Sequence, residues 1–236
     1  MSTKNVYTLP ELENHENVFR DREHAGDVLA GMLRDYRRSE ALVLGIPAGG
    51  VPVATTVATQ LGLSFAILPV SKILFPWTTE SGFGAVAFDG TEWINEDIVQ
   101  DYELDADTVQ TTTKSAQEKV QRRVQRFHAT YPFPKLKDRT VIIVDDGIAA
   151  GSTIRAGILA LQKAQAGKII IAIPTGHDSS LYPIAKLVDT LYCANLRGGY
   201  SFAVASAYQN WTDVSEDEVA IILEQFKKEN KSGECI

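Results

Sequence analysis

The sequence has few of the features that mark secreted, membrane-spanning or metal-binding proteins. Its 236 residues include 2 cysteines, Cys193 and Cys235, without metal-ligand spacing, so we expect reduced thiols and no disulfide framework. No apolar run approaches the ~20 residues of a membrane span. Residues 1–18 are polar and acidic, unlike a signal peptide, and predict a loosely held arm. These absences predict a cytoplasmic protein that does not contact a membrane.

The chain also has no excess of positive charge. Its 23 Lys and Arg residues are outnumbered by 30 Asp and Glu residues, and the formal net charge is −7 at pH 7. This balance argues against general nucleic-acid binding. Hydrophobic residues make up 44% of the chain and charged residues 22%, which are ordinary proportions for a globular protein. We therefore predict a single domain over residues 1–236.

The most informative stretch is residues 141–153, VIIVDDGIAAGST. Its four β-branched residues predict a strand that is buried on both faces, as in a parallel sheet. Asp145 and Asp146 follow, then a loop of small residues, and then Ser152, which opens a helical pattern. The order of strand, acidic pair, small-residue loop and helix N-terminus indicates a ligand site at the end of a strand.

Each part of this stretch has a chemical use. Backbone N–H groups in a loop without bulky side chains can surround an anion, and a helix N-terminus adds partial positive charge, so the loop suits a phosphate monoester. The two carboxylates repel phosphate and suit vicinal hydroxyls or a metal ion. A ligand with both features is a ribose 5-phosphate. The alternative is an ordinary strand-to-helix turn that Asp145 or Asp146 caps.

The stretch resembles the phosphoribosyl-pyrophosphate (PRPP) motif of the type I phosphoribosyltransferases, in a bacterial or archaeal subfamily. The residues at positions that match the motif are Asp145, Asp146, Gly147, Gly151, Ser152 and Thr153. Ala150 stands where the family most often has Thr, which removes one hydroxyl donor to phosphate. The resemblance covers residues 19–225 and is most specific at 141–153.

The resemblance implies a role for each residue of the motif. Asp145 and Asp146 would be the catalytic residues, because they would orient the ribose hydroxyls and one would accept a proton from the incoming base. Mg²⁺ would be held mainly by pyrophosphate and ribose oxygens, with Asp145 and Asp146 as indirect or weak ligands. The residues assigned to the ribose and its 5-phosphate are Asp145, Asp146, Gly147, Ile148, Ala149, Ala150, Gly151, Ser152 and Thr153.

A second strand, ALVLGI at residues 41–46, is also followed by a glycine-rich loop and a helical pattern. Alone, this loop is as consistent with a plain turn as with an anion site. The family binds pyrophosphate here, so the resemblance assigns pyrophosphate to Ala48, Gly49 and Gly50. The resemblance also assigns pyrophosphate to Lys72, which follows a third predicted strand. The alternative for Lys72 is a solvated lysine in a loop. Close relatives often have Arg where Ala48 stands, so one positive charge is missing.

Residues 73–84, ILFPWTTESGFG, predict a loop because they include Pro76, Gly82 and Gly84. The aromatic residues between them indicate a lid or a contact surface. In the family, a mobile loop in this region closes over the active site and excludes water. Burial in a dimer interface is the alternative, and the resemblance implies a homodimer.

Two helical patterns give no specific chemical signal. Residues 21–36 predict a packing helix without chemistry. Residues 101–128 predict a long helix with a basic cluster, for which a solvated face, phosphate binding and contact with an acidic partner remain open. The members of this cluster are Lys119, Arg122, Arg123 and Arg126.

The C-terminal residues 194–230 differ in character from the predicted core at residues 19–193. They resemble the variable hood that closes over the nucleobase in the family. Aromatic side chains there can stack on a base ring or fill the core beneath a terminal element. The candidates for contact with the base are His177, Tyr200, Phe202 and Tyr208. A structural role is the alternative for His177.

Apolar β-like runs alternate with helical patterns along the chain. This alternation predicts an α/β fold, with a parallel sheet core and helices on both faces. The resemblance makes it a Rossmann-like fold of the type I phosphoribosyltransferases, with a β-hairpin and flexible-loop insertion and a C-terminal hood. The implied function is transfer of ribose 5-phosphate from PRPP to a nitrogenous base, with release of pyrophosphate. The alternatives are a non-catalytic PRPP- or nucleotide-binding regulator and an assembly protein with a vestigial site. No side chain identifies the base.

Overall fold

Parallel strands form the centre of the molecule. The computed structural model describes residues 5–130, 134–199 and 201–230. These described residues form nine strands: β1 (Val6–Thr8), β2 (Leu42–Gly45), β3 (Ser64–Ile67), β4 (Val70–Leu74), β5 (Gly82–Ala87), β6 (Glu92–Ile94), β7 (Thr140–Val144), β8 (Lys168–His177) and β9 (Thr190–Arg197). They also form seven α-helices: α1 (Arg22–Met32), α2 (Gly50–Leu61), α3 (Glu96–Asp101), α4 (Ala106–Thr130), α5 (Ser152–Lys163), α6 (Asp178–Ala185) and α7 (Glu216–Glu229).

The main sheet contains six of the described strands in the order β1-β9-β8-β7-β2-β3, and all of its pairings are parallel. In β7, Ile142 and Val144 face one apolar core, to which α1, α2 and α7 contribute. Val141 and Ile143 face a second core, to which α5 and α6 contribute. Helices therefore cover both faces of the sheet, which confirms the predicted α/β fold.

The segment predicted as a loop at residues 73–84 begins at the end of one strand, β4, and ends in the next, β5, which pairs with it antiparallel. β4, β5 and β6 form a second sheet in that order, and it packs on α4 through a small apolar core. Phe75 and Phe83 are buried in this core, whereas Trp77 is 62% exposed. The loop prediction was therefore wrong at the two ends of this segment, residues 73–74 and 82–84, which lie in strands.

Glycine explains why the sequence pattern was misleading there. A Cβ atom on Gly82 would lie 2.1 Å from the carbonyl oxygen of Ile73 on the paired strand. Gly82 thus permits a close approach of two strands and does not interrupt them. Residues 75–81 form the connection between β4 and β5. The predicted hairpin around Asp89 and Gly90 is confirmed, because β5 pairs with β6.

The N-terminal segment is not the loosely held arm that its composition predicts. β1 pairs in parallel with β9 at the edge of the main sheet. Further along, Asn14 N donates to Leu196 O (3.0 Å), and Asn17 N donates to Ser206 O (2.8 Å). Backbone hydrogen bonds therefore attach residues 5–18 to the C-terminal part of the chain.

Other boundaries differ in detail from the predicted ones. β8 continues through Pro174 to His177, although proline is more typical of loops than of strands. The helix predicted over residues 101–128 begins later, at Ala106, as α4, and Asp105 Oδ1 accepts the N–H of Thr108 at its start. The shorter helix α3 precedes it and includes only Asp101 of the predicted range. In the part of the chain that the structure describes, no helix is long and apolar enough to cross a membrane.

Candidate active site

The site lies where the carboxyl ends of β2, β7 and β8 meet. Ile46 N donates to Val144 O (2.9 Å), which joins the loop after β2 to the end of β7. Ile148 N donates to Thr175 O (2.9 Å), which joins the loop after β7 to β8. The carboxyl ends of parallel strands share one edge of a sheet, so loops that are distant in sequence become neighbours. The structure thus brings the two predicted anion-binding loops together.

The loop after β2 lies directly on the acidic pair. A Cβ atom on Gly49 would lie 1.9 Å from Asp146 Oδ2, and a Cβ atom on Gly50 would lie 2.9 Å from Asp145 Oδ1. Neither position has room for a side chain, so this contact requires glycine. The residues predicted for pyrophosphate and the carboxylates predicted for ribose therefore belong to one site.

A buried arginine that the sequence did not reveal binds the second carboxylate. Arg22 is the first residue of α1, and its Nε and Nη2 both donate to Asp146 Oδ2 at 3.0 Å. Its guanidinium carbon lies 3.9 Å from the centroid of the Trp211 ring, and its Nη1 donates to Thr212 O (2.7 Å). The pattern of residues 21–36 predicts only a packing helix, because no feature of the local sequence indicates that Arg22 pairs with Asp146, which is distant in the sequence.

Burial and mutual repulsion raise the pKa values of the two carboxyl groups. The pKa of Asp145 lies well above the usual range, first because the group is buried and second because Asp146 is negative. Burial also raises the pKa of Asp146, but the neighbouring Arg22 guanidinium opposes this rise. Asp145, which has no arginine partner of its own in this contact, is therefore the carboxyl group whose protonated form the site favours more.

The loop after β7 leads into the N-terminus of α5. Gly151 adopts the left-handed conformation (φ 77°) immediately before this helix. The first N–H groups of a helix have no intrahelical partner and carry partial positive charge. Ala149 and Ala150 are exposed, whereas Ser152 is buried at the start of the helix. The arrangement of residues 147–153 suits the predicted phosphate, with backbone groups as the main donors.

The sequence pattern predicts that Lys72 follows the end of a strand, but in the structure Lys72 lies within β4. Its side chain is exposed, and its Nζ donates to Glu80 O (3.3 Å). Its charge opposes the rise in pKa that burial causes at Asp145 and Asp146. Lys72 is thus within electrostatic reach of the acidic pair, although it reaches the site from the second sheet.

The basic cluster of α4 is divided between the interior and the surface. Arg123 is buried; its Nη1 donates to Val70 O (2.6 Å) and its Nε to Glu216 Oε1 (2.7 Å). Arg126 lies beside the same Glu216. Burial and the charge of Arg123 lower the pKa of Lys119, one helical turn away. Arg123 therefore joins α4 to β4 and α7.

The hood packs closely on the site, but Tyr208 does not present its ring to a ligand. Tyr208 is 3% exposed, and its hydroxyl donates to the backbone carbonyl of Asp146 (2.7 Å). Burial raises the pKa of this hydroxyl well above its ordinary value. A Cβ atom on Gly147 would lie 2.5 Å from Val204 Cγ1. The hood thus contacts both the acidic pair and the loop that follows it.

The other predicted base contacts lie near the start of α6. His177 caps this helix, because its Nδ1 accepts the N–H of Ser179 (3.3 Å), and its Nε2 lies 2.9 Å from Gly199 O. The His177 and Phe202 rings meet edge to face, with centroids 5.6 Å apart. His177 thus has a structural role, which was the alternative to the predicted contact with the base. Tyr200 lies outside the described residues.

Comparison with known families agrees with this geometry. The family described as "Phosphoribosyl transferase domain" matches residues 97–220, which is more than half of the chain. The chain belongs to the phosphoribosyl transferase family. The matched segment includes the acidic pair, the loop after it and most of the hood.

Relatives of this phosphoribosyl transferase family member are found in several bacteria. Proteins from two strains of Mycobacterium tuberculosis, each named "Putative phosphoribosyl transferase", are 35% identical to it over 212 residues. The match covers 90% of this chain and 48% of those proteins, so the chain spans about half the length of these curated relatives. The crystal structure of TT1426 from Thermus thermophilus superposes with a TM-score of 0.69 and 27% identity, covering 88% of this chain and 98% of that one.

The site of this family member fits Mg²⁺ as an ion held mainly by its ligand. Among the described residues, no group of three or more His, Cys, Asp or Glu side chains is placed to hold a metal. Mg²⁺ usually takes one or two protein carboxylates and completes its shell with waters and substrate phosphates. Asp145 and Asp146 would therefore hold it beside a bound phosphate ligand.

Proposed function

We propose that this chain transfers ribose 5-phosphate from PRPP to a nitrogenous base and releases pyrophosphate. The observation that best supports this function is the contact of Gly49 and Gly50 with the acidic pair, beside the N-terminus of α5. Such a site has separate places for the two phosphate-bearing ends of PRPP. The carboxylates between those places suit the ribose hydroxyls.

The proposed reaction exchanges one bond at C1 of the ribose for another. The C1–O bond to pyrophosphate breaks, the C1–N bond to the base forms, and the base loses a proton to Asp145. Asp145 and Asp146 orient the ribose hydroxyls and stabilise the developing positive charge. The backbone at residues 48–50 and the charge of Lys72 bind the leaving pyrophosphate. Mg²⁺, when bound, supplies further positive charge to that group.

Two exposed parts of the chain would complete the site. The hood covers the base, with Phe202 and His177 at the edge of that region. The connection at residues 75–81 serves as a lid or, in a homodimer, as part of the interface. Trp77 and Tyr102 are both more than half exposed and their rings stack 6.4 Å apart, which supports a contact role for this connection.

A second candidate is a PRPP- or nucleotide-binding regulator on the same fold. Ala48 favours it, because the loop against the acidic pair contributes no positive side chain to the leaving pyrophosphate. Asp146 also favours it, since one oxygen of this carboxylate is already bound by Arg22. This candidate predicts ligand binding without turnover.

Turnover can be tested by measuring pyrophosphate release from PRPP and Mg²⁺ with a panel of purine and pyrimidine bases. We expect release that depends on one class of base and that is lost in the Asp145→Asn/Asp146→Asn variant. If PRPP binds but no base supports release, the regulator replaces the enzyme as the better account.

A further inference from the structure

Arg22 is the one member of the described site that comes from the N-terminal helix α1. Asp21 caps α1 by accepting the N–H of His24 (2.8 Å), so the helix begins at Arg22. The Arg22 side chain is 10% exposed, and the side chain of its partner Asp146 is 16% exposed. A buried arginine with an ion pair, a carbonyl acceptor and an aromatic ring around it is held in one orientation.

The way in which Arg22 binds Asp146 leaves one carboxylate oxygen unused. Both of its N–H donors converge on Oδ2. The N–H of Asp146 donates to Asp145 Oδ1 (2.9 Å). The two carboxyl groups also lie close enough to share a hydrogen bond when one of them is protonated. In the ionised pair, Asp146 Oδ1 and Asp145 Oδ2 are the oxygens that these N–H groups leave for the two vicinal hydroxyls of a ribose.

The same arginine connects Asp146 to the hood. Trp211 stacks on the guanidinium and Thr212 O accepts from Nη1. Tyr208 donates to the backbone carbonyl of Asp146 from the other side. Residues 208–212 therefore fix Asp146 through both its side chain and its backbone, and Arg22 is the side-chain link.

We propose that Arg22 is a positioning residue that turns Asp146 Oδ1 towards the ribose hydroxyls and couples this carboxylate to the hood. The inference rests on the proposed function, because it concerns how the acidic pair binds ribose. The side chain of Arg22 donates to Asp146 and to Thr212 O, so its direct effect is on the carboxylate proposed for ribose and on the hood.

Ligand fragments separate this role from a general contribution to the fold. Ribose 5-phosphate depends on the acidic pair, whereas pyrophosphate titrated without Mg²⁺ depends on the loop at residues 48–50 and on Lys72. In Arg22→Gln we expect the dissociation constant of ribose 5-phosphate to rise ~10-fold or more, as for loss of one hydrogen bond to a charged group. We expect a smaller rise in the dissociation constant of pyrophosphate, because Arg22 acts on the loop at residues 48–50 indirectly, through the contact of Gly49 with Asp146.

Arg22→Lys keeps the charge but cannot place two N–H groups on one oxygen while it stacks on Trp211. We therefore expect Arg22→Lys to restore thermal stability more fully than it restores affinity for ribose 5-phosphate. It is also the test variant if Arg22→Gln does not fold. The matched control is Arg20→Gln, since Arg20 is exposed and pairs only with the adjacent Asp21 among the described acidic residues.

Calorimetric titration gives three distinguishable outcomes. Selective loss of ribose 5-phosphate affinity in both Arg22 variants supports the positioning role. Equal loss of both ligands, or unchanged affinity for ribose 5-phosphate, overturns that role and leaves the proposed function intact. If the wild type binds neither PRPP nor ribose 5-phosphate, the proposed function fails and this inference fails with it.

Discussion

Gly49 and Asp146 approach so closely that a Cβ atom on Gly49 would lie 1.9 Å from Asp146 Oδ2. We predict that Gly49→Ala displaces this carboxylate, lowers the free energy of unfolding by about 1–3 kcal/mol, and weakens PRPP binding ~10-fold or more. Thermal unfolding and calorimetric titration measure the two effects.

The matched control is Gly31→Ala, because a Cβ atom there meets nothing within 4 Å. Gly31 lies inside α1, where alanine is favoured over glycine by about 1 kcal/mol. We expect this variant to be at least as stable as the wild type and to bind PRPP equally well. Equal losses in the two variants would contradict the proposed contact.

Asp145 is predicted to make stability depend on pH. Its pKa is raised in the folded chain by burial and by Asp146, so the fold favours the protonated form. The stability that the protonated Asp145 gives to the fold is fully present below its ordinary pKa of about 3.9. This stability is lost as the pH rises through the raised pKa of the folded chain. Asp145→Asn stays neutral, so we expect it to be more stable than the wild type by on the order of 1 kcal/mol near pH 8.

The two proteins should unfold at similar temperatures near pH 3, where Asp145 is protonated in both the folded and unfolded chain. A stability difference that stays constant from acidic to basic pH would show that ionisation of Asp145 does not oppose folding. Asn can still accept the Asp146 N–H through Oδ1, so the backbone contact of the wild type is kept.

Local patterns predicted the part of the site that is contiguous in sequence. The strand, acidic pair, loop and helix of residues 141–153 lie where the motif predicts, because each is encoded by neighbouring residues. Arg22 was missed because its partner Asp146 is 124 residues further along the chain. The pairing of Val6 with Leu191 in β1 and β9 was missed for the same reason.

The error at residues 73–84 has a different cause. Proline and glycine are common in loops, but their local signal does not distinguish a turn from a close strand contact. The burial of Phe75 and Phe83 depends on α4, which packs against them, and the local sequence does not show where α4 lies. The local sequence does not identify the base for a related reason, because the residues near the proposed base region, such as His177 and Phe202, come from different parts of the chain.

Arg123 is predicted to be a structural residue of the interior. It donates to Pro47 O (3.4 Å), Val70 O and Glu216, so Arg123→Met leaves two buried carbonyls and a carboxylate without this donor. We expect a loss of about 2–3 kcal/mol in the free energy of unfolding. Urea denaturation measures it. The adjacent Arg122 is exposed, and Arg122→Met should stay within about 0.5 kcal/mol of the wild type.

Lys72 is predicted to contribute charge to pyrophosphate binding. Lys72→Gln should weaken the binding of pyrophosphate with Mg²⁺ several-fold, and the effect should diminish as the salt concentration rises, because exposed charges are screened. Calorimetric titration at two ionic strengths tests this. Lys114→Gln, on an exposed position of α4, is the control and should leave the affinity unchanged. A loss independent of salt would point to a steric role for Lys72.

The most direct test of the whole account is calorimetric titration of PRPP with Mg²⁺ into the wild type and into Asp145→Asn/Asp146→Asn. The account predicts saturable binding to the wild type and none to the double variant, with both proteins folded by circular dichroism. Equal binding to the two proteins would place PRPP elsewhere on the chain. Absence of binding to the wild type would contradict the proposed substrate and the proposed transfer reaction.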